Sequence, residues 1–171
     1  MTKKIAVIVA AGNGTRMGSA LPKQFLLLQQ KPVLWHSIAA FQNTFEEIEI
    51  LLVIPEPYFP IAEEIRMASV NPSKIKIITG GKTRFESVRC GIRNITDKRA
   101  IVFVHDGVRC LLSGELIKAC FSEAEKAGTA IPVIGIQDSL RIESPAGFEV
   151  IDRNKIRVVQ TPQVFRADIM I

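Results

Sequence analysis

The fold is decided near the N-terminus by the stretch Lys4-Ile5-Ala6-Val7-Ile8-Val9-Ala10-Ala11-Gly12-Asn13-Gly14. Its first part is a continuous apolar run, which is typical of a parallel β-strand that is buried on both faces of its sheet. The run is far shorter than a bilayer span, and glycines follow it where a signal peptide would continue, so we expect no membrane partner. We therefore predict a buried strand over residues 4–10 and a glycine-rich loop after it.

Apolar runs of strand length then alternate with segments of helical period. The pattern predicts strands at 48–54, 75–79, 101–105 and 130–134, and helices at 32–41, 59–69, 84–92 and 113–127, the last with Ser113 as its N-cap. This order indicates an α/β fold with a mainly parallel sheet and right-handed crossovers. In such a sheet, ligands bind at the carboxyl ends of the strands.

The alternation ends near residue 137. Two short extended segments, 139–142 and 148–151, flank the turn signal Ser144-Pro145-Ala146-Gly147, which predicts a β-hairpin projecting from the domain. Residues 165–171 begin a helical pattern that is shorter than an ordinary helix. We therefore expect residues 1–171 to be one domain that is incomplete at its C-terminal end.

Composition narrows the class of partner. The 171 residues fit one domain, and 47% hydrophobic with 23% charged residues is typical of a folded protein. The net charge of +5 arises entirely in residues 1–45, which contain no Asp or Glu. A nucleic-acid-binding protein would show a spread basic surface with aromatic residues, but only 6% of this chain is aromatic. We therefore expect a small anionic ligand and no nucleic acid.

The number and spacing of the cysteines indicate the cellular compartment of the protein. Cys90, Cys110 and Cys120 are odd in number and include no C-x-x-C pair, so they favour neither a disulfide framework nor a zinc site. Free thiols of this kind are typical of a cytoplasmic protein.

The loop after the first strand has the composition of a phosphate-binding loop. Gly12 and Gly14 allow backbone N–H groups to approach a phosphate closely, and Arg16 and Lys23 add two cations. The loop has one residue too many for the dinucleotide fingerprint, and the Walker motif fails because Lys76 stands where it needs a glycine. The alternative is a flexible loop with solvated charges.

Polar residues also follow later strands. Gly81 precedes a helix start, where free N–H groups favour an anion, although an ordinary turn is the alternative. Asp106 ends a buried strand and suits Mg²⁺, although it could instead cap a turn. We interpret the neighbouring His105 as structural. The segment Gln160-Thr161-Pro162-Gln163 indicates by itself only a polar loop.

Together these motifs resemble those of one enzyme family. The resemblance is carried by Ala10-Ala11-Gly12-x-Gly14-x-Arg16-Met17-Gly18, Pro22-Lys23-Gln24, Gly80-Gly81-x-x-Arg84-x-x-Ser87-Val88, His105-Asp106-x-x-Arg109 and Thr161-Pro162-Gln163. They are similar, in the same order, to signatures of the sugar-phosphate nucleotidyltransferases, and within these to the 2-C-methyl-D-erythritol 4-phosphate cytidylyltransferase family. The resemblance implies a Rossmann-like, three-layer nucleotidyltransferase domain.

The resemblance also implies a reaction. The phosphate of 2-C-methyl-D-erythritol 4-phosphate would attack the α-phosphorus of CTP in line, with Mg²⁺ as cofactor, and pyrophosphate would leave; the step belongs to non-mevalonate isoprenoid biosynthesis. Two alternatives are a ribitol-5-phosphate cytidylyltransferase, which shares the loop motifs, and a non-catalytic nucleotide-binding protein. A pyrophosphate-release assay with both polyol phosphates separates the three.

Positions that match the family's motifs imply roles for individual residues. Arg16 and Lys23 would be catalytic, and Asp106 would bind the metal. The nucleotide-binding positions are Ala10, Ala11, Gly12, Gly14, Gly81, Arg84 and Ser87. The positions for the polyol phosphate are Arg109, Ser139, Arg153 and Thr161. Segment 137–153 matches the family's β-arm, which implies a homodimer with a shared site.

The chain departs from the family pattern in three places. Gly107-Val108-Arg109-Cys110 stands where Ala-Ala-Arg-Pro is usual, and Asp138-Ser139 replaces the common Asp-Thr while keeping a hydroxyl. The family's later segment, with a further acid and Asn-x-Lys-x-Thr, does not occur before Ile171. This last departure is a second reason to expect an incomplete chain.

Overall fold

The computed structural model describes residues 2–12 and 21–170. In chain order, its strands and helices are β1 (Lys4–Val9), β2 (Leu27–Leu28), β3 (Lys31–Pro32), α1 (Val33–Thr44), β4 (Glu49–Ile54), α2 (Phe59–Met67), β5 (Ile75–Thr79), α3 (Arg84–Ile92), β6 (Ile101–Asp106), α4 (Gly114–Ala127), β7 (Thr129–Ala130), β8 (Val133–Gly135), β9 (Leu140–Ser144), β10 (Gly147–Ile151), β11 (Arg157–Val159), β12 (Gln163–Arg166) and α5 (Ala167–Met170).

A six-stranded sheet forms the centre of the fold. Its strand order is β5-β4-β1-β6-β12-β7. The first four strands run parallel to one another, while β12 is antiparallel to both of its neighbours. The predicted α/β fold with a mainly parallel sheet is confirmed, and the carboxyl ends of β1 and β6 lie at the same edge because the two strands are parallel neighbours.

Helices cover both faces of this sheet. Ala6 and Ile8 of β1 lie in the larger core, which α1, α2 and α4 cover. Ile5 and Val7 alternate with them and lie in a second core, which includes residues of α3 and α5. Strands buried on both faces need apolar residues at nearly every position, which explains the unbroken apolar run from Ile5 to Ala10. Within the described ranges 2–12 and 21–170, no helix has the length and apolarity needed to cross a membrane.

Two predictions near the C-terminal side of the sheet are wrong. The expected strand over 130–134 is divided in two: β7 ends at Ala130 and pairs with β12, whereas β8 pairs with β11 in a separate sheet. Pro132 lies at the break, and a proline cannot donate the backbone hydrogen bond that a continuous strand requires. The helix expected from residue 165 begins only at Ala167, because Phe165 extends β12.

The predicted hairpin is confirmed. Strands β9 and β10 pair antiparallel with each other alone, and Pro145 and Ala146 form the turn. Three apolar side chains of the hairpin are exposed: Ile142, Phe148 and Val150 at 51%, 72% and 75%. A two-stranded ribbon is marginally stable by itself, and burial of these apolar side chains would add to its stability.

Candidate active site

A cavity of about 570 Å³ opens where β1 and β6 end, beside the first turn of α3. This is the edge at which α/β sheets bind their ligands. The described residues that line it are Val9, Ala10, Ala11, Gly12, Lys23, Gln24, Lys82, Thr83, Arg84, Ser87, Asp106, Val108 and Arg109. The structure thus brings together most of the predicted nucleotide-binding residues, Lys23, the predicted metal ligand and Arg109. Gly14 and Arg16 lie outside the described residues.

Gln24 holds the backbone directly after β1. It is only 1% exposed, and its Nε2 donates to the carbonyl oxygens of Ala10 at 2.7 Å and Gly12 at 3.0 Å. One buried amide therefore holds the backbone at Ala10 and Gly12 against the short helical turn that carries Lys23. Gln24 was not predicted as a site residue, although it belongs to the motif Pro22-Lys23-Gln24 that carries the family resemblance.

The start of α3 is built as a rigid cap. Thr83 and Glu86 form a capping box: the Glu86 N–H donates to Thr83 Oγ1 at 3.1 Å, and the Thr83 N–H donates to Glu86 Oε2 at 3.0 Å. Ser87 is fully buried, accepts from the Gly81 N–H at 3.1 Å and donates to the Thr83 carbonyl oxygen at 2.9 Å. A Cβ on Gly81 would lie 2.3 Å from the Glu86 Cβ, so this close turn requires glycine. The predicted Gly81 and Ser87 therefore shape the helix terminus.

Asp106 is the centre of an ion-pair network. Arg84 Nε donates to its Oδ1 at 2.8 Å, and Arg109 Nε donates to its Oδ2 at 3.2 Å. Arg109 Nη1 also donates to Gln160 Oε1 at 2.6 Å. One carboxylate therefore joins a predicted nucleotide-binding residue to a predicted polyol-binding residue. With Lys23 and Lys82 also on the wall, this side of the cavity suits a highly anionic ligand.

The side chains of the cavity could bind a metal ion only if a phosphate ligand supplied further oxygen atoms. Among the described residues, no group of three His, Cys, Asp or Glu side chains could hold an ion. Magnesium, however, commonly takes one or two carboxylates and completes its shell with phosphate oxygens and water. Asp106 fits that role, but each of its oxygens already accepts a hydrogen bond from an arginine. Each carboxylate oxygen has a second lone pair, so Asp106 can bind an ion while it keeps its arginine partners.

His105 and Thr161 link β6 to the loop before β12. His105 is fully buried, and its Nδ1 lies 3.0 Å from Thr161 Oγ1. The Asp106 N–H donates to the same hydroxyl oxygen over a long 3.5 Å. Burial lowers the pKa of His105 to about 4, so its ring is neutral at pH 7. His105 Nε2 is a buried polar atom with no hydrogen-bond partner among the described residues.

The predicted polyol-binding residues fall into two groups. Arg109 and Thr161 line a second cavity of about 390 Å³, which shares Val108 and Arg109 with the first. Ser139 and Arg153 line a separate cavity of about 270 Å³ in the hairpin region. There the Arg153 guanidinium donates to the Gln137 carbonyl oxygen and so ties the two ends of the hairpin together. Within one chain, the four residues do not form one site.

Nearly the whole chain matches one protein family. Residues 4–171 match the model of the family described as 2-C-methyl-D-erythritol 4-phosphate cytidylyltransferase. A protein of that name from Bacteroides fragilis is 41% identical over 98% of this chain and 76% of its own length. One from Azobacteroides pseudotrichonymphae is 42% identical over 100% of this chain and 77% of its own length.

Solved structures agree with these sequence matches. The crystal structure of 4-diphosphocytidyl-2C-methyl-D-erythritol synthase from Anaerococcus prevotii superposes with a TM-score of 0.84 at 25% identity, covering 99% of this chain and 72% of that one. The crystal structure of the 2-C-methyl-D-erythritol 4-phosphate cytidylyltransferase from Thermus thermophilus superposes with a TM-score of 0.71 at 26% identity. The match covers 98% of this chain and 71% of that one.

Proposed function

Because the chain belongs to the 2-C-methyl-D-erythritol 4-phosphate cytidylyltransferase family, we propose that its reaction takes place in the cavity at the ends of β1 and β6. The enzyme transfers the cytidylyl group of CTP to 2-C-methyl-D-erythritol 4-phosphate in isoprenoid biosynthesis. One observation carries the location: Asp106 pairs at once with Arg84 of the nucleotide side and Arg109 of the polyol side.

In this reaction the protein has to position two substrates and stabilise negative charge. A phosphate oxygen of the polyol substrate attacks the α-phosphorus of CTP, the bond to the β-phosphate's bridging oxygen breaks, and pyrophosphate departs. Because both substrates are anions, catalysis consists largely of aligning them and offsetting the charge that builds up at phosphorus. We assign the stabilisation of the departing pyrophosphate to Lys23 together with Arg16. The backbone groups at Ala10 and Gly12, which Gln24 holds, would contact the cytosine base.

The metal ligand remains a proposal of its own. Asp106 would hold Mg²⁺, which when bound neutralises charge on the triphosphate oxygens. Arg84 lies on the same cavity wall, where its guanidinium group would contact the triphosphate beside Asp106.

The hairpin provides the argument for a homodimer. We propose that β9 and β10 form the arm over 137–153 and carry Ser139 and Arg153 to the Arg109 and Thr161 of a second copy. Two observations support this: the two pairs line different cavities within one chain, and the arm exposes apolar side chains.

Changing one apolar residue of the arm tests the dimer. We expect Phe148→Asp to place a charge in the interface, to lower the sedimentation mass from two chains to one, and to reduce turnover. Met67→Asp is the control, since Met67 is also an exposed apolar residue, at 63%, and lies on α2, outside the hairpin and outside the lining of the three cavities. A Phe148→Asp protein that still sediments as two chains would contradict the proposed role of the arm.

The helix cap at the cavity gives a second prediction. We expect Thr83→Ala to lower the free energy of unfolding by about 1 kcal/mol and to raise KM for CTP, because the α3 terminus loses its fixed geometry. Ser113→Ala removes the N-cap of α4 and should cost a similar amount, while leaving KM for CTP unchanged. Urea titration and steady-state kinetics measure both quantities. If both variants raised KM for CTP by the same factor, the α3 cap would have no specific role in CTP binding.

Substrate identity is tested by pyrophosphate release. We expect release from CTP with 2-C-methyl-D-erythritol 4-phosphate, and none with ribitol 5-phosphate or without a polyol. Turnover with ribitol 5-phosphate alone would contradict the assigned substrate. Saturable binding of CTP with no release under any condition would instead indicate a nucleotide-binding protein.

We also propose a cytoplasmic location. The support comes from the three free cysteines, Cys90, Cys110 and Cys120, because reduced thiols persist in a reducing compartment.

A further inference from the structure

Gln160 lines the second cavity but has no role in the proposed reaction. It lies between Val159, where β11 ends, and Thr161, and it shares the cavity wall with Arg109 and Thr161. Its backbone N–H donates to the Pro132 carbonyl oxygen at 2.9 Å, so its main chain is held independently of its side chain. The half-buried side chain is therefore the part of Gln160 whose function needs an explanation.

The hydrogen bond between Gln160 and Arg109 can have only one direction. A guanidinium group has donors and no acceptor, so the atom that lies 2.6 Å from Arg109 Nη1 is the amide oxygen, Oε1. A bond from a charged donor is stronger than one between two neutral groups. It joins the turn after β6 to the loop before β12, through side chains that are 51 positions apart in the chain.

Two acceptors hold the Arg109 guanidinium group at two different nitrogens. Nη1 donates to Gln160, and Nε donates to Asp106 Oδ2 at 3.2 Å. The main chain of Arg109 is held as well, since its N–H donates to the Asp106 carbonyl oxygen at 2.9 Å and its backbone is hydrogen-bonded to the His105 ring. Both the start of the side chain and the plane of its guanidinium group are therefore fixed.

The donors that remain on Arg109 suit a phosphate. Of the five N–H hydrogens of a guanidinium group, these two bonds use one on Nε and one on Nη1. The second hydrogen of Nη1 and both hydrogens of Nη2 have no acceptor within the described ranges 2–12 and 21–170. Hydrogens on neighbouring nitrogens of one guanidinium group can donate to two oxygens of one phosphate. The side chain is 45% exposed, so a ligand in the cavity can reach them.

A neutral acceptor suits this position better than a carboxylate. An acidic side chain at position 160 would also orient Arg109, but its charge would offset the positive charge that attracts an anionic substrate. The amide of Gln160 has no net charge, so it restrains the guanidinium group and leaves that charge available. Asp106 alone is a weaker restraint, because it accepts over 3.2 Å and also pairs with Arg84.

We propose that Gln160 is a positioning residue, whose amide oxygen orients the Arg109 guanidinium group so that its remaining hydrogens are available to the phosphate of the polyol substrate. The inference rests on the proposed function for the identity of that phosphate. It adds to the site a residue that acts through Arg109 and strengthens binding of the polyol phosphate, not of CTP.

Side-chain ¹⁵N relaxation tests the restraint on Arg109 without any substrate. The Arg109 Nε signal is the one that disappears from the spectrum of Arg109→Lys. We expect its order parameter to be about 0.85 in the wild type and below about 0.6 in Gln160→Met, which keeps the length of the side chain and removes the amide oxygen. Gln160→Glu is the matched control, because it keeps an oxygen at that position and should keep the order. An order parameter that is unchanged in Gln160→Met would overturn the proposal.

A double-mutant cycle tests whether Gln160 acts through Arg109. We expect Gln160→Met to lower kcat/KM for the polyol phosphate about tenfold, as for loss of one hydrogen bond to a charged group, and to leave kcat/KM for CTP within about twofold of the wild type. In an Arg109→Ala background, the same substitution should change kcat/KM for the polyol phosphate less than about twofold, because the side chain that it positions is absent. A second tenfold loss in that background would overturn the proposal, since Gln160 would then act independently of Arg109.

The outcomes separate this inference from the proposed function. Equal losses for CTP and the polyol phosphate in Gln160→Met would mean that Gln160 serves packing alone. A wild-type enzyme that releases no pyrophosphate would overturn the proposed function, while the relaxation measurement would still decide whether Gln160 restrains Arg109. If Gln160→Met does not fold, the wild-type protein decides, because an Arg109 order parameter typical of a free side chain overturns the inference by itself.

Discussion

Replacing Lys23 with alanine is expected to lower kcat by about 10²–10³-fold, the usual loss when one preorganised charge donor is removed from a site of this kind. Lys23 lies on the wall of the nucleotide cavity. The next residue, Gln24, anchors this part of the chain through its hydrogen bond to the Ala10 carbonyl oxygen. The charge on the departing pyrophosphate grows as the bond to the α-phosphorus breaks, so the ammonium group stabilises the transition state more than bound CTP. We therefore expect KM for CTP to change much less than kcat.

Lys31→Ala provides the control for this prediction. Lys31 is also an exposed lysine of the acid-free N-terminal segment, but its ammonium group lies over the Trp35 ring at 5.4 Å and does not line the cavity. Its removal should leave kcat within about twofold of the wild type. If Lys23→Ala raised KM for CTP as strongly as it lowered kcat, Lys23 would be a binding residue and the assignment to the leaving group would be wrong.

Replacing Asp106 with asparagine is the second prediction with a large effect. The side chain keeps its shape and loses its charge, so the affinity for Mg²⁺ falls and Arg84 and Arg109 lose their shared partner. We expect turnover to fall by about 10²-fold or more, since a bound metal contributes several kcal/mol to stabilising a phosphoryl transition state. Half-maximal activity should also require more Mg²⁺.

The fold should tolerate this change. The arginine side chains of the network are 45–50% exposed and that of Asp106 is 25% exposed, and ion pairs this accessible contribute about 1 kcal/mol or less to stability. Asp168→Asn is the control, because Asp168 also pairs with an arginine, Arg166, at 2.7 Å, but it is 43% exposed and lies on α5. A turnover loss in Asp106→Asn with an unchanged Mg²⁺ titration would refute the metal assignment and leave the arginine network as the cause.

The nucleotide side of the site was largely predictable from the sequence. Its residues follow strands that are recognisable as unbroken apolar runs, and parallel strands bring their carboxyl ends to one edge. The motif after β1, the turn before α3 and the aspartate that ends β6 therefore meet as expected. The ion pair between Arg84 and Asp106 was not predictable, because side-chain pairing depends on a three-dimensional distance that motif spacing does not contain.

The polyol side was harder to predict. Strand β12 is four residues long, follows a proline, and is recognisable only through its pairing with β6, about sixty positions earlier in the chain. Without knowledge of that pairing, the sequence around Gln160 and Thr161 indicates only a polar loop. The link between His105 and Thr161 and the contact between Arg109 and Gln160 depend on the same long-range register.

The late position of β12 has a consequence for how the enzyme matures. The strands and helices of the nucleotide cavity all lie within residues 4–109, and β1, β4, β5 and β6 assemble through successive crossovers. The hydroxyl and amide of the polyol side reach the cavity only when β12 closes a loop of more than fifty residues onto β6, and closure of long loops is entropically costly and slow. On the ribosome, we therefore expect a nascent chain to acquire its nucleotide-binding half first and its acceptor-binding half last.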